Sequence, residues 1–230
     1  METIIAENLA KVRADISEAE QKADRRPGSA ELIAVSKTYP PEIIREAVDA
    51  GQFLFGESRV QEAKVKIAEL PSRLHWHLIG HLQKNKIRQA LAMFELIHGV
   101  DSLEMLEGID RIAGELGLFP RVLLQVNVTE EASKFGFLPE RLIISVEPIL
   151  KLGRVQIEGL MTIPPLAPSP ELSRKYFVQL RELRDQLEKE FSFSLPCLSM
   201  GMSGDYKVAV EEGATLVRVG TAIFGSRKKG

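Results

Sequence analysis

A single cysteine, Cys197, stands among 230 residues. An intramolecular disulfide is therefore excluded, and the chain suits a reducing compartment. Cys197 lies in the apolar run Leu195-Pro196-Cys197-Leu198 and reads as a small buried hydrophobe. No apolar stretch approaches the ~20 residues needed to cross a bilayer. The acidic start, Met1-Glu2-Thr3-Ile4-Ile5-Ala6-Glu7, lacks the basic region and apolar block of a secretion signal. A cytoplasmic protein with no membrane partner is the expectation. An excess of one charge is also missing: the formal net charge is −2, which removes the electrostatic footprint of a nucleic-acid binder. The one basic cluster, Arg227-Lys228-Lys229, reads as a solvated end.

What is present is the balance of a folded globular protein, 44% hydrophobic and 27% charged. The length suits one α/β barrel, so residues 1–230 read as a single domain. Ile5, Leu9, Val12 and Ile16 recur at helical spacing and give an amphipathic first helix. An apolar run over 31–37, bounded by turn residues, predicts a strand buried on both faces. Strand and helix then alternate. Strands are predicted over 53–55, 74–79, 96–100, 121–128, 155–161, 198–202 and 216–219. Helices fall between them at 41–50, 60–70, 83–92, 139–152 and from Pro170 onward. Asp101 with Glu104 forms a capping-box pattern for a helix that Gly117 is placed to end. Ser169 as N-cap and Pro170 at the first helical position open a long helix with the stripe Leu172, Tyr176, Leu180, Leu183 and Leu187.

Eight strands, each followed by a helix, predict a closed (β/α)8 TIM-type barrel with an extra N-terminal helix and a site at the C-terminal strand ends. An open doubly wound sheet is the alternative. Its first turn would carry a Gly-rich fingerprint, whereas the turn here is Ser36-Lys37-Thr38-Tyr39-Pro40.

Lys37 closes an apolar strand at the barrel mouth, where burial favours the neutral amine that Schiff-base formation with an aldehyde requires. The bland alternative is a lysine snorkelling into water. Met202-Ser203-Gly204-Asp205 follows strand seven and Gly220-Thr221 follows strand eight; barrels commonly bind phosphate through those two loops. Ordinary capping by Ser203 and Thr221 is the other reading. Arg218 lies within a buried strand, where a permanent charge needs a partner. A carboxylate such as Glu57 is one candidate. The pyridine nitrogen of a bound pyridoxal 5′-phosphate (PLP) is the other, and an arginine there has no proton to spare for the ring. His75 and His77 share a strand face and, with His81, invite a metal reading. Only four histidines exist and no carboxylate spacing completes a set, so no metal is expected.

With these residues in place, the chain resembles the pyridoxal phosphate homeostasis protein family, single-domain barrels similar to the N-terminal domain of alanine racemase. The segments that carry the resemblance run nearly the whole chain. They are Ala34-Val35-Ser36-Lys37, Phe55-Gly56-Glu57-Ser58-Arg59-Val60-Gln61-Glu62, Trp76-His77-Leu78-Ile79-Gly80-His81-Leu82-Gln83-Lys84-Asn85-Lys86, Glu158-Gly159-Leu160-Met161, Leu198-Ser199-Met200-Gly201-Met202-Ser203 and Val217-Arg218-Val219-Gly220-Thr221-Ala222-Ile223-Phe224-Gly225. The resemblance implies PLP as the cofactor, held as a Schiff base on Lys37, with Arg218 at the pyridine nitrogen and Ser203, Gly220 and Thr221 on the phosphate. It further implies His77, Asn85 and Met200 at the pocket, and a role for Lys134, in the 129–136 segment, in cofactor transfer. Ser58 stands where the family usually has asparagine, a shorter side chain from which a water could bridge to the cofactor hydroxyl.

Family members are regarded as regulators of vitamin B6 and amino-acid balance, and storage and delivery of PLP to PLP-dependent apoenzymes is the function expected here. The racemase supplies a second acid/base tyrosine from a further domain, and after the segment that ends at Gly225 only residues 226–230 remain, so a monomer without catalytic residues is expected. The alternatives are a PLP enzyme with slow racemase or lyase activity on amino acids and a cofactor-free Schiff-base aldolase.

Overall fold

The computed structural model describes residues 3–129, 131 and 134–225; the basic cluster at Arg227 to Lys229 and part of the 129–136 segment lie outside the described residues. Eight parallel strands close a barrel in sequence order. They are β1 (Glu31–Val35), β2 (Leu54–Glu57), β3 (His75–His81), β4 (Leu96–Val100), β5 (Arg121–Gln125), β6 (Gln156–Met161), β7 (Cys197–Met202) and β8 (Leu216–Val219). Closure is made by β1 against β8, with Ile33 level with Arg218. Eight strands leave an interior just wide enough for side chains to fill, and Ile33, Leu54, Leu96, Leu123, Met161 and Leu216 fill its apolar part.

The helices are α1 (Ile4–Lys22), α2 (Pro41–Asp49), α3 (Val60–Glu69), α4 (Ile87–Leu91), α5 (Leu103–Leu116), α6 (Pro139–Leu150), α7 (Arg174–Phe191), α8 (Tyr206–Glu211) and α9 (Thr221–Phe224). Their apolar stripes and the outward strand residues form a second, larger core around the barrel wall. The extra helix α1 buries Ile5, Leu9, Val12 and Ile16, the four residues of the expected stripe. It is fastened to α8 by Tyr206, which donates to Asp15 at 2.6 Å, and to α9 by Asn8, which donates to the Ile223 carbonyl at 2.9 Å. Buried Glu20 accepts from the amides of Gly28 and Ala30 and from Ser29, so the chain enters β1 at a fixed point.

Several boundaries differ from the sequence expectation, each for a local reason. β1 stops at Val35, because the 36–39 segment is a turn in which Tyr39 N donates to the Ser36 carbonyl at 3.1 Å. Ser102, not Asp101, caps α5 by accepting from Met105 N at 3.2 Å; Asp101 instead pairs with His81 at 2.9 Å. Gly117 ends α5 at φ 68°, the left-handed conformation glycine adopts without Cβ strain. The predicted helix at 83–92 divides into a 3-10 turn, Lys84–Lys86, and the short α4. Pro170 likewise opens a 3-10 turn, Pro170–Ser173, ahead of α7, and Ser169 makes no side-chain cap bond. That shifts the α7 stripe: Phe177 is buried with Leu180, Leu183 and Leu187, Leu172 is exposed, and Tyr176 is half-buried.

Candidate functional site

The C-terminal strand ends open into a cavity of about 410 Å³, and its wall contains Lys37, Ser58, Ser203, Arg218, Gly220 and Thr221. The structure thus gathers six of the nine sequence-predicted residues around one space. The other three stand elsewhere. His77 is buried inside the barrel, Met200 is buried on the outer side of β7 within the strand–helix core, and Asn85 is exposed in the turn before α4.

The loops after β7 and β8 owe their shape to hydrogen bonds of their own. Met202 N donates to Asp205 Oδ1 at 2.7 Å, and Asp205 N donates back to the Met202 carbonyl at 3.0 Å. Between them Ser203 and Gly204 face the cavity. Ser203 Oγ accepts from Gly220 N at 3.1 Å and Ala222 N at 3.3 Å, tying the β7 loop to the β8 loop. A hydroxyl has two lone pairs and one hydrogen. Both lone pairs are used, so the hydrogen is left to donate, which suits an anion. Glycine at 201 is required: its φ is +90° and a Cβ would meet the Ala209 Cβ at 2.5 Å.

Arg218 is 3% exposed. It donates to Ser199 Oγ and, at 2.9 Å, to the Thr162 carbonyl. Burial lowers its pKa to about 10, which leaves it cationic at neutral pH. Glu57, the carboxylate partner the sequence offers for it, faces the other side of the barrel wall and binds Lys66.

Beyond Arg218 a polar chain runs through the barrel. Ser199 Oγ lies 2.9 Å from His98 Nδ1, and His98 Nε2 lies 3.1 Å from His77 Nδ1. Arginine can only donate, so Ser199 accepts from it and satisfies its own hydrogen by donating to His98 Nδ1. His98 then carries its proton on Nε2 and donates to His77. A protonated His98 would turn a second donor on Ser199 and leave that hydroxyl hydrogen without an acceptor. Burial agrees, pushing His98 well below the ordinary histidine range and His77 to about 3. The pair reads as a neutral hydrogen-bond relay, and no cluster of metal-ligating side chains occurs among the described residues.

The first wall of the cavity is the 36–39 turn with Lys37, half-buried, and Tyr39, whose hydroxyl donates to the Gly225 carbonyl at 2.7 Å. The second is β2–β3, where Ser58 reaches the cavity because Gly80 lets the backbones meet; a Cβ on Gly80 would lie 2.4 Å from the Ser58 carbonyl oxygen. The proline-rich loop after β6 forms the third, through Ile163, Pro165, Leu166 and Ser169. Sequence reading gave that loop no role. It also missed the Ser199–His98 link and an ionic group behind Lys37, made of buried Glu57 and Lys66 with half-buried Glu62. Charged residues in otherwise apolar surroundings and the i,i+4 spacing of Glu62 and Lys66 were the available signals.

Residues 8–228 match the family model for the alanine racemase N-terminal domain. A pyridoxal phosphate homeostasis protein of Aquifex aeolicus is 45% identical over 223 residues, 96% of this chain and 98% of that one. A solved structure of PipY from Synechococcus elongatus without PLP superposes with a TM-score of 0.86 at 46% identity, covering 96% of this chain and all of that one. The same protein with PLP bound superposes with a TM-score of 0.84 at 45% identity and the same coverage.

Proposed function

Because the chain belongs to the pyridoxal phosphate homeostasis protein family, built on the alanine racemase N-terminal barrel, we propose that it holds PLP as a Schiff base on Lys37 and stores it for delivery to PLP-dependent apoenzymes. The observation that carries this reading is the convergence of Lys37, Arg218, Ser203 and Thr221 on one cavity of about 410 Å³. The donor set fits the ligand's three recognisable ends. An amine suits the aldehyde, the Ser203 and Thr221 hydroxyls with Gly220 suit the phosphate, and the Arg218 guanidinium suits the ring nitrogen as acceptor. Ser58 faces the same space, within reach of a water-bridged contact. His77 acts at one remove, through His98 and Ser199, while Asn85 and Met200 lie outside the cavity wall.

When bound, PLP supplies an electron sink and an electrophilic carbon. The residues around it favour retention over turnover. Arg218 stabilises an unprotonated ring nitrogen, since it has no proton to give near neutral pH, and this weakens the sink. Racemisation needs acid/base groups on two faces of the substrate. Two other side chains at the cavity capable of such a role, Tyr39 and Asp205, are committed to the Gly225 carbonyl and the Met202 amide. Lys134, bonded to Glu131 at 3.1 Å, belongs to the segment we assign to cofactor transfer.

The test pairs delivery with catalysis. PLP-loaded protein mixed with a PLP-dependent apoenzyme is expected to restore that enzyme's activity while losing its own bound PLP. In deuterated water with D- or L-amino acids it is expected to leave the α-proton in place. Deuterium exchange or turnover at enzymatic rates would replace the carrier by a slow racemase or lyase.

A further inference from the structure

Lys37 sits in a turn that its own sequence does not favour. The 36–39 segment is closed by the Tyr39 N to Ser36 carbonyl bond, and Thr38 has φ 71°. That is the left-handed value a type II turn gives its third residue, normally glycine or asparagine. For a β-branched residue it is a true outlier, and such conformations persist only where the surroundings over-determine them.

The surroundings are an ionic group on α3 and β2 in which Glu57 and Lys66 are buried and Glu62 is half-buried. Lys66 Nζ donates to the Ser36 carbonyl at 2.8 Å, to Glu57 Oε1 at 2.7 Å and to Glu62 Oε1 at 2.6 Å. Ser36 Oγ donates to Glu57 Oε1 at 2.7 Å, and the Thr38 amide donates to Glu62 Oε1. The residues on either side of Lys37 are thus each gripped by this group, and Tyr39 is anchored on Gly225 from across the mouth. The arrangement is costly: Glu57 is fully buried, Lys66 is 5% exposed, and Glu57 Oε2 has no hydrogen-bond partner. A buried ion pair is weak evidence for stability in itself. Its contacts here run to the main chain of one turn.

We propose that Glu57, Glu62 and Lys66 are positioning residues, a clamp that imposes the left-handed turn at Thr38 and thereby aims Lys37 into the cavity for covalent capture of an aldehyde. This rests on the reading of Lys37 as the covalent anchor. The link forms when the Lys37 amine adds to the aldehyde carbon and the carbonyl oxygen leaves as water. The clamp touches neither the phosphate loops nor Arg218, so it acts mainly on the covalent part of binding and only through the 36–39 wall on the rest.

Replacing Lys66 risks unfolding, because it strands the Glu57 charge. Glu62, with a side chain 24% exposed, is the safer site. Two probes separate the contributions: PLP, and pyridoxine 5′-phosphate, which has an alcohol in place of the aldehyde. Glu62→Ala is expected to weaken PLP binding about tenfold or more, the scale of one released backbone strain, and to weaken pyridoxine 5′-phosphate binding far less. Glu62→Gln keeps the acceptor and is expected to behave like the parent. Adding Thr38→Gly to Glu62→Ala should recover much of the loss, because glycine adopts the turn unaided. Equal loss for both ligands, no loss for either, or no recovery with Thr38→Gly overturns the clamp. A Lys37→Met control separates the two claims. If it holds PLP with the parent's affinity and absorption band, the covalent reading falls and the clamp with it; if it loses both while Glu62→Ala is unaffected, only the clamp falls.

Discussion

Two polar networks lie on opposite sides of the barrel wall, and they handle burial in opposite ways. Inside, Arg218, Ser199, His98 and His77 form a chain in which one cation is relayed into neutral groups, and burial holds both imidazoles uncharged. Outside, Glu57, Glu62 and Lys66 answer charge with charge, and burial pushes the Glu57 carboxyl upward against the pull of Lys66. Each network ends beside a different part of the cavity, one at Arg218 and the other at the turn that bears Lys37. The difference shows how one site is braced twice. The inner chain fixes a donor that must not give up its proton, and the outer group fixes a backbone.

Removing one member should hurt the outer network most. Lys66→Met leaves a buried carboxylate without its counter-charge and is expected to cost about 3–5 kcal/mol of folding stability, read by urea unfolding. The double variant Lys66→Met with Glu57→Gln should recover much of it, since no buried charge is then stranded. Ser199→Ala, in the inner chain, is expected to cost about 1–3 kcal/mol, the range for leaving buried groups unsatisfied. A larger loss from Ser199→Ala than from Lys66→Met would reverse the contrast.

Acid sharpens the comparison, because the two networks respond with opposite sign. The imidazoles titrate near 6.5 when unfolded and far lower when folded, His77 at about 3. Below pH 6.5 the unfolded chain therefore binds more protons, and stability falls as pH drops toward 3, by up to about 1.4 kcal/mol per pH unit for each imidazole. The raised Glu57 behaves otherwise: above pH 4.5 the folded chain keeps a proton that the unfolded chain has lost, so stability falls as pH rises through its folded value. His77→Gln is expected to flatten the acid slope, and Glu57→Gln the opposing one. Per pH unit, the effect on urea midpoints is smaller than that of Lys66→Met. Slopes unchanged in both variants would contradict the assigned charge states.

The barrel was legible in the sequence because each strand is a short apolar run and each helix carries its own stripe. That Lys37, Ser203, Arg218, Gly220 and Thr221 line one cavity was legible because strand ends and loops of such a barrel face one space. Partners were harder to read. Periodicity tells which face a residue occupies but not what stands opposite, so the sequence leaves Glu57 open as a partner for Arg218, whereas its neighbour is Lys66, nine residues along the chain. His77 suggested a metal through its spacing from His75, yet its contact is His98 on the next strand. Thr38 gave no signal at all. Its left-handed backbone is imposed from α3 and contradicts local propensity, as happens where function selects a strained conformation.

The central claim is the covalent bond between Lys37 and PLP, and borohydride reduction of the PLP-loaded protein followed by peptide mass analysis tests it most directly. The expected result is one reduced pyridoxyl group per chain on the Lys37 peptide, absent in Lys37→Ala. Label on another lysine, with Lys37 unmodified in the parent protein, would contradict it.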